Sequence, residues 1–172
     1  MSSAANKSTV TSYQAPATPF FSAYVNLDNK LRNPTSKIPA PFTFNATMRP
    51  LIEVLDYPTQ KIWRIKADHT EAGVTHSLEV IFFSKPVSGT FQIGGHEEEE
   101  DGEVTVTYYP NRMSGNAHRS EQGSLVIESI DETSIKGYFN GQFGSGGENG
   151  NDPFPISGSF IAEGNVIVRR VS

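Results

Sequence analysis

The sequence predicts an all-β domain, an antiparallel β-sandwich with a closed β-barrel as the alternative, and three observations carry that expectation. The first is parity. In Ile135 to Phe143 (IKGYFNGQF), Ile135, Gly137, Phe139, Gly141 and Phe143 fall on one face and Lys136, Tyr138, Asn140 and Gln142 on the other, as in a half-buried strand. The second is repetition, since roughly nine or ten short segments alternate between stretches rich in Gly, Pro, Asn and Asp. The third is that no segment shows the apolar spacing of an amphipathic helix. A sheet with one apolar face must bury it, either against a second layer or by closing on itself.

Residues 1 to 18 are Ser, Thr, Ala and Pro with almost no large apolar side chains, which predicts a flexible arm ahead of a single domain spanning 19 to 172. Phe21, Ala23, Val25 and Leu27 alternate with Ser22, Tyr24 and Asn26 to give a first strand. Pro34, Pro39 and Pro41 then mark a long loop. Phe42, Phe44, Ala46 and Met48 give a second strand, and Leu51 to Asp56 reads as a third strand or a single helical turn. Lys61 to Ala67 and Ser77 to Phe83 form a pair joined through DHTEAGVTH, where Gly73 suits a turn. A short strand at Thr90 to Ile93 precedes the β-branched run Glu103 to Tyr109. PNRMSGNAHRSEQG reads as a long polar connection. The final third reads as a meander: Ser124 to Ile130, the central strand, a Gly/Asn loop at 144 to 155, Ile156 to Ala162, a Gly164-Asn165 turn, and Val166 to Val171.

Composition removes several classes of function. The chain has 172 residues and no cysteine, so disulfides, thiolate metal sites and thiol nucleophiles are excluded. Its net charge of -5 comes from 19 acids and 14 bases, and Glu97 to Asp101 supply five of the acids, leaving 14 against 14 elsewhere. A balanced surface does not attract nucleic acid or an anionic bilayer, so neither partner is expected. No window approaches the ~18 apolar residues of a membrane span. Without a basic, apolar leader pattern, the chain reads as cytoplasmic or exported by a leaderless route.

The succession GSLVIESIDETSIKGYFNGQF, then ISGSF after a variable loop, together with the early FSAYVNL, resembles an uncharacterised family of small bacterial all-β domains, many of them lipoproteins. The resemblance covers the C-terminal part and a few residues near Phe21. It implies a β fold and a bacterial origin. It carries over no catalytic residue, and the lipidation cysteine of many members is absent here.

Several constellations carry candidate chemistry. Glu97, Glu98, Glu99, Glu100 and Asp101 repel one another unless solvated, paired with bases or bound to a cation, which makes calcium the one cofactor to consider although no DxDxDG spacing is present. In the loop 144 to 155, Glu148, Asn149, Asn151 and Asp152 offer oxygens for calcium or sugar hydroxyls, with Phe154 or Tyr138 as the aromatic partner. Phe154 can equally cap the core. Asp68, His69 and His76 flank one turn, where a histidine and a carboxylate can act as base and acid. Arg112, His118 and Arg119 lie near Tyr108 and Tyr109, a stacking arrangement for single strands. There is no nucleophile elbow, Walker loop or dinucleotide fingerprint. The resulting expectation is a non-catalytic binding module that meets a protein or glycan through loops 97 to 102, 110 to 122 and 144 to 155. The alternatives are a carbohydrate-binding protein, with or without calcium, a hydrolase at Asp68, His69 and His76, and an oligomerising toxin using EVTVTYY as an amphipathic hairpin.

Overall fold

The computed structural model describes residues 18–28, 37–94, 104–144, 152–164 and 166–171. The expected flexible arm lies outside the described residues, apart from Thr18. Eleven strands are found among them: β1 (Phe20–Val25), β2 (Phe42–Asn45), β3 (Leu51–Asp56), β4 (Lys61–Glu71), β5 (Val74–Phe82), β6 (Gly89–Gly94), β7 (Val104–Asn111), β8 (Asn116–Ile130), β9 (Ser134–Phe143), β10 (Phe154–Glu163) and β11 (Ile167–Arg170). The one helical element among the described residues is a 3-10 turn, Arg112–Ser114.

The strands form one hydrogen-bonded sheet in the order β11-β3-β4-β5-β7-β6-β8-β9-β10-β1-β2, with β7 also meeting β8. All neighbours are antiparallel except β11 beside β3 and a single parallel contact of β6 with β7 at Ile93 and Val104. The sheet is not closed into a barrel. Each strand from β1 to β10 contributes to one buried cluster that includes Phe21, Phe44, Ile65, Leu78, Leu125, Phe139 and Phe160, so the sheet curls around its own apolar face. The curl brings an edge back toward the middle of the order. Just past β2, the Thr47 amide donates to the Asp68 carbonyl of β4 at 3.0 Å, and the Phe42 ring stacks on His76 of β5 with centroids 4.2 Å apart.

The central strand has the parity expected of it. Ile135, Phe139 and Phe143 are buried, while Lys136, Tyr138 and Asn140 are exposed. Its glycines leave room for their neighbours. A Cβ on Gly137 would lie 2.5 Å from the Val126 carbonyl oxygen, and one on Gly158 of β10 would lie 2.7 Å from the Phe139 ring. Such contacts are shorter than any side chain tolerates, so the curvature and the aromatic packing depend on missing side chains.

Three sequence expectations are corrected. The connector DHTEAGVTH is mostly strand: β4 runs to Glu71, and β5 starts at Val74 after the two-residue turn Ala72-Gly73, whose φ values of 49° and 79° match the twist of a tight hairpin. PNRMSGNAHRSEQG is a continuation of β7 and the start of β8 around the turn Arg112–Ser114, capped by the Asn111 side chain. Its inward residues are His118 and Ser120, both buried, which hid the alternation behind polar letters. Finally, β11 does not fold back on β10, because β9 and β1 already occupy both edges of β10; it pairs with β3 instead.

Candidate functional site

Strand parity that sends the aromatic residues of β1, β9 and β10 inward sends their partners outward, and the register aligns these partners into rows. One row runs Thr43 (β2), Tyr24 (β1), Ser157 (β10), Asn140 (β9), Ser124 (β8) and Gln92 (β6). The next runs Asn45, Ser22, Ser159, Tyr138, Val126 and Thr90. These two rows contain no carboxylate or basic group. The nearest charged residues along β9 and β8 are Lys136 and Glu128, which pair with each other at 3.0 Å. Tyr24 and Tyr138 stand out of the face, 51% and 47% exposed.

At the β6 end of the rows a shallow depression is lined by Gln92, Gln122, Ser124, Asn140 and Gln142 over Gly123 and Gly141. The two glycines face each other across β8 and β9. A Cβ on Gly123 would collide with the Asn140 carbonyl and lie 2.6 Å from the Gly141 Cα. Gly123 also has φ +149°, which other residues rarely adopt. Both glycines occupy inward positions, where a Cβ on Gly141 would meet Ile93 and Phe143 of the core, so they let β8 and β9 approach closely beneath the depression, whose outer side is ringed by carboxamides.

Of the ligand residues expected from sequence, Tyr138 lies on this face. Phe154 is fully buried, its ring 6.1 Å from that of Phe143 and 5.1 Å from that of His118, so it takes the core-capping role and is not a contact for ligands. Asp152 is exposed just before β10. The register sets Phe154 opposite Phe143, five residues along β9 from Tyr138, or roughly 17 Å at strand rise. Tyr138 and that end of the 144 to 155 loop do not converge. Glu148, Asn149 and Asn151 lie outside the described residues, as do Glu97, Glu98, Glu99, Glu100 and Asp101. Among the described residues, no group of three or more His, Asp or Glu side chains is arranged to hold a metal ion.

The histidines form a second cluster, on the inner face at one end of the sheet. His69 and His76 are paired across β4 and β5, Tyr108 follows on β7 and His118 on β8. The His69 Nδ1–H donates to the Asn45 carbonyl and the His118 Nδ1–H to the Gly144 carbonyl, while His76 Nδ1 is 3.0 Å from the Tyr108 hydroxyl. Burial lowers the pKa of His76, and the neighbouring His69 lowers it further against the opposing pull of Glu71. Burial likewise lowers that of His118, against its hydrogen bond to Gly144 and with help from the charge of Lys37. Burial raises the Tyr108 phenol well above its ordinary value. His76 and His118 are thus held toward the neutral form, and the rings of this row are hydrogen-bonded to one another or to backbone.

The acid–base grouping of Asp68 with His69 is not assembled. Successive residues of β4 point to opposite faces, and Asp68 is turned outward, where it accepts from the Ser77 hydroxyl, pairs with Lys66 at 3.2 Å and with Arg112 at 3.3 Å. Of the tyrosine–arginine stacking arrangement, Tyr108 is 1% exposed in the core and Arg112 is engaged with Asp68, which leaves half-buried Tyr109 with Arg119 in electrostatic reach.

Asp68 belongs to a third cluster, an ion-pair ladder on the outside of β11, β3, β4 and β5. Arg169 donates to Glu53 at 3.0 Å, Glu53 accepts from Arg64, and Arg64 reaches Glu79 at 3.4 Å, with Arg112 at 3.7 Å from Glu79. The Glu53 and Glu79 side chains are only 2% and 5% exposed. Burial pushes the Glu53 carboxyl up, but hydrogen bonds and charge from Arg64 and Arg169 outweigh it, and its pKa is lowered. For Asp68, too, burial is outweighed, by Ser77, Lys66 and Arg112. Arg169, Glu53, Arg64, Glu79, Arg112, Asp68 and Lys66 thus neutralise one another.

Sequence reasoning noted Tyr24 only as the polar partner in its strand, and did not place it beside Tyr138. The missing signal was strand order: β1 joins β9 through β10, which lies more than a hundred residues later in the chain. No protein-family model, curated protein or solved structure matches this chain.

Proposed function

We propose that the chain is a non-catalytic binding module whose ligand is a carbohydrate, taken up on the outer face of β1, β10, β9, β8 and β6. The observation that carries this reading is the pair of rows without charged groups, from which the rings of Tyr24 and Tyr138 project. Sugar rings present C–H faces that pack on aromatic rings, and hydroxyls that act as both donor and acceptor. Carboxamides and serine hydroxyls answer the second property, tyrosines the first. Among the described residues, the histidine row, the ion-pair ladder and the Lys136–Glu128 pair make most of their polar contacts with one another. With oxygens and amides as the recognising groups, binding on this face requires no calcium.

Affinity gels containing starch, hydroxyethylcellulose, galactomannan, xylan or polygalacturonate test the reading. One of the neutral polymers is expected to retard the protein equally with calcium and with chelator. Tyr138→Ala, at an exposed position, should weaken retardation about tenfold, the effect of losing one aromatic anchor. Retardation by none of the polymers would remove carbohydrate as the ligand and turn the face over to a protein partner. Retardation unaffected by Tyr138→Ala would place the site elsewhere.

A further inference from the structure

We infer that the ligand is an extended, uncharged glycan chain bound across the strands from Tyr24 to Gln92, with the carboxamide depression holding one of its residues and the two tyrosines holding others. This rests on the reading of the face as carbohydrate-binding and specifies what kind of carbohydrate it takes.

The argument is one of reach and charge. Tyr24 and Tyr138 are separated by two strand spacings and two residues, or roughly 12 Å. From Tyr24 on β1 to Gln92 on β6 is four strand spacings, or about 19 Å. A single sugar ring is far smaller than either distance, so a monosaccharide touches one tyrosine or the depression but never two of the three. Only a connected chain gains from all of them, because once one residue is held the next binds as an intramolecular event. The depression has the makings of an end subsite. Gln92, Gln122, Asn140 and Gln142 each carry an acceptor oxygen and two N–H donors, and these outward carboxamides converge on one depression where Gly123 and Gly141 let β8 and β9 lie close together. No basic side chain stands in either row to match a uronate or a sulfate. An anionic chain would surrender hydration without gaining a counter-charge.

Titration calorimetry with the intact chain tests this, using oligomers of one to six residues prepared from the polymer that retards it most, alongside oligogalacturonates of the same lengths. Affinity is expected to rise at least a hundredfold from monomer to an oligomer about 20 Å long and to level off beyond that length. Tyr24→Ala and Gln92→Ala, at opposite ends of an exposed row, should each weaken the longest oligomer about tenfold, with circular dichroism unchanged. Equal affinity for monomer and hexamer, or an effect of only one of the two substitutions, would overturn the extended mode while leaving the face as a sugar site. Preference for the oligogalacturonates would overturn the neutral ligand. Failure of every polymer to retard the protein would instead overturn the carbohydrate reading itself.

Discussion

Replacing Arg64 with leucine tests the ion-pair ladder at its centre. The guanidinium bonds Glu53 through both Nε and Nη2 and approaches Glu79 through Nη1, and those two carboxylates are 2% and 5% exposed. Removing one member of a buried pair costs about 3–5 kcal/mol, because the partner charge is left in a medium that solvates it poorly. Here each carboxylate keeps a second cation, Arg169 at 3.0 Å from Glu53 and Arg112 at 3.7 Å from Glu79. The lower end of that range, about 3 kcal/mol, is therefore expected at pH 7. At about 2–4 °C per kcal/mol for a domain of this size, the melting temperature should fall by about 6–12 °C. The loss should shrink with acid. Glu53 has a folded pKa below its ordinary value of 4.5, so its contribution in the native protein is present above that value and lost as pH falls through the lower one. In Arg64→Leu the Glu53 carboxylate gains by taking up a proton, so the two proteins converge from about pH 4.5 downward in a series run from about pH 7 to about pH 3. Chemical denaturation across that range measures both quantities, and adding Glu53→Gln and Glu79→Gln to Arg64→Leu should recover most of the deficit. A loss below 1 kcal/mol at pH 7, or a gap that stays constant with acid, would refute the claim that Arg64 neutralises two buried charges.

Gly123→Ala drives a methyl group into the Asn140 carbonyl at a φ of +149°, so a loss of about 2 kcal/mol or more is expected in a thermal melt, together with weaker glycan binding through the distorted depression. A neutral result would mean that β8 and β9 are not held so closely. His76 and His118 have folded pKa values lowered by burial, so the unfolded chain binds protons more readily; their contribution is complete above about 6.5 and is lost as pH falls through the folded values. The urea midpoint should therefore drop between pH 7 and 5, and His118→Phe should flatten that slope, a comparison that fails if the wild-type midpoint is constant over the range.

What sequence could show was local. Alternation located the strands of the final third because their inward residues are Phe, Ile and Gly. It failed at 110 to 122 because there the inward residues are His118 and Ser120, whose burial is made possible by the Gly144 carbonyl and the Val106 amide. The same limit explains the charged strands. Arg64, Lys66 and Glu79 read as solvent-facing letters, and their mutual neutralisation appears only when β3, β4 and β5 are placed in register. Tyr138 was legible as an outward aromatic, whereas its companionship with Tyr24 depends on pairing between the first and tenth strands. The hydrolase grouping shows the converse error: Asp68 and His69 are adjacent in the chain, and the pleat separates them to opposite faces.

The pairings of β1 with β10 and of β3 with β11 set an order of events for a chain emerging from a ribosome. Phe20 must wait for Ile161, and Glu53 for Ile167. Until those partners are made, β3 has an open edge and β1 has only the four-residue β2 beside it. The hairpins of β4 with β5 and of β8 with β9 can close as soon as they are synthesised, whereas both ends of the sheet are held in suspense until β10 and β11 arrive. The nascent protein thus carries exposed strand edges until β10 and β11 have been made, and their arrival, rather than the growth of any early hairpin, is the moment at which its sheet becomes safe from its neighbours.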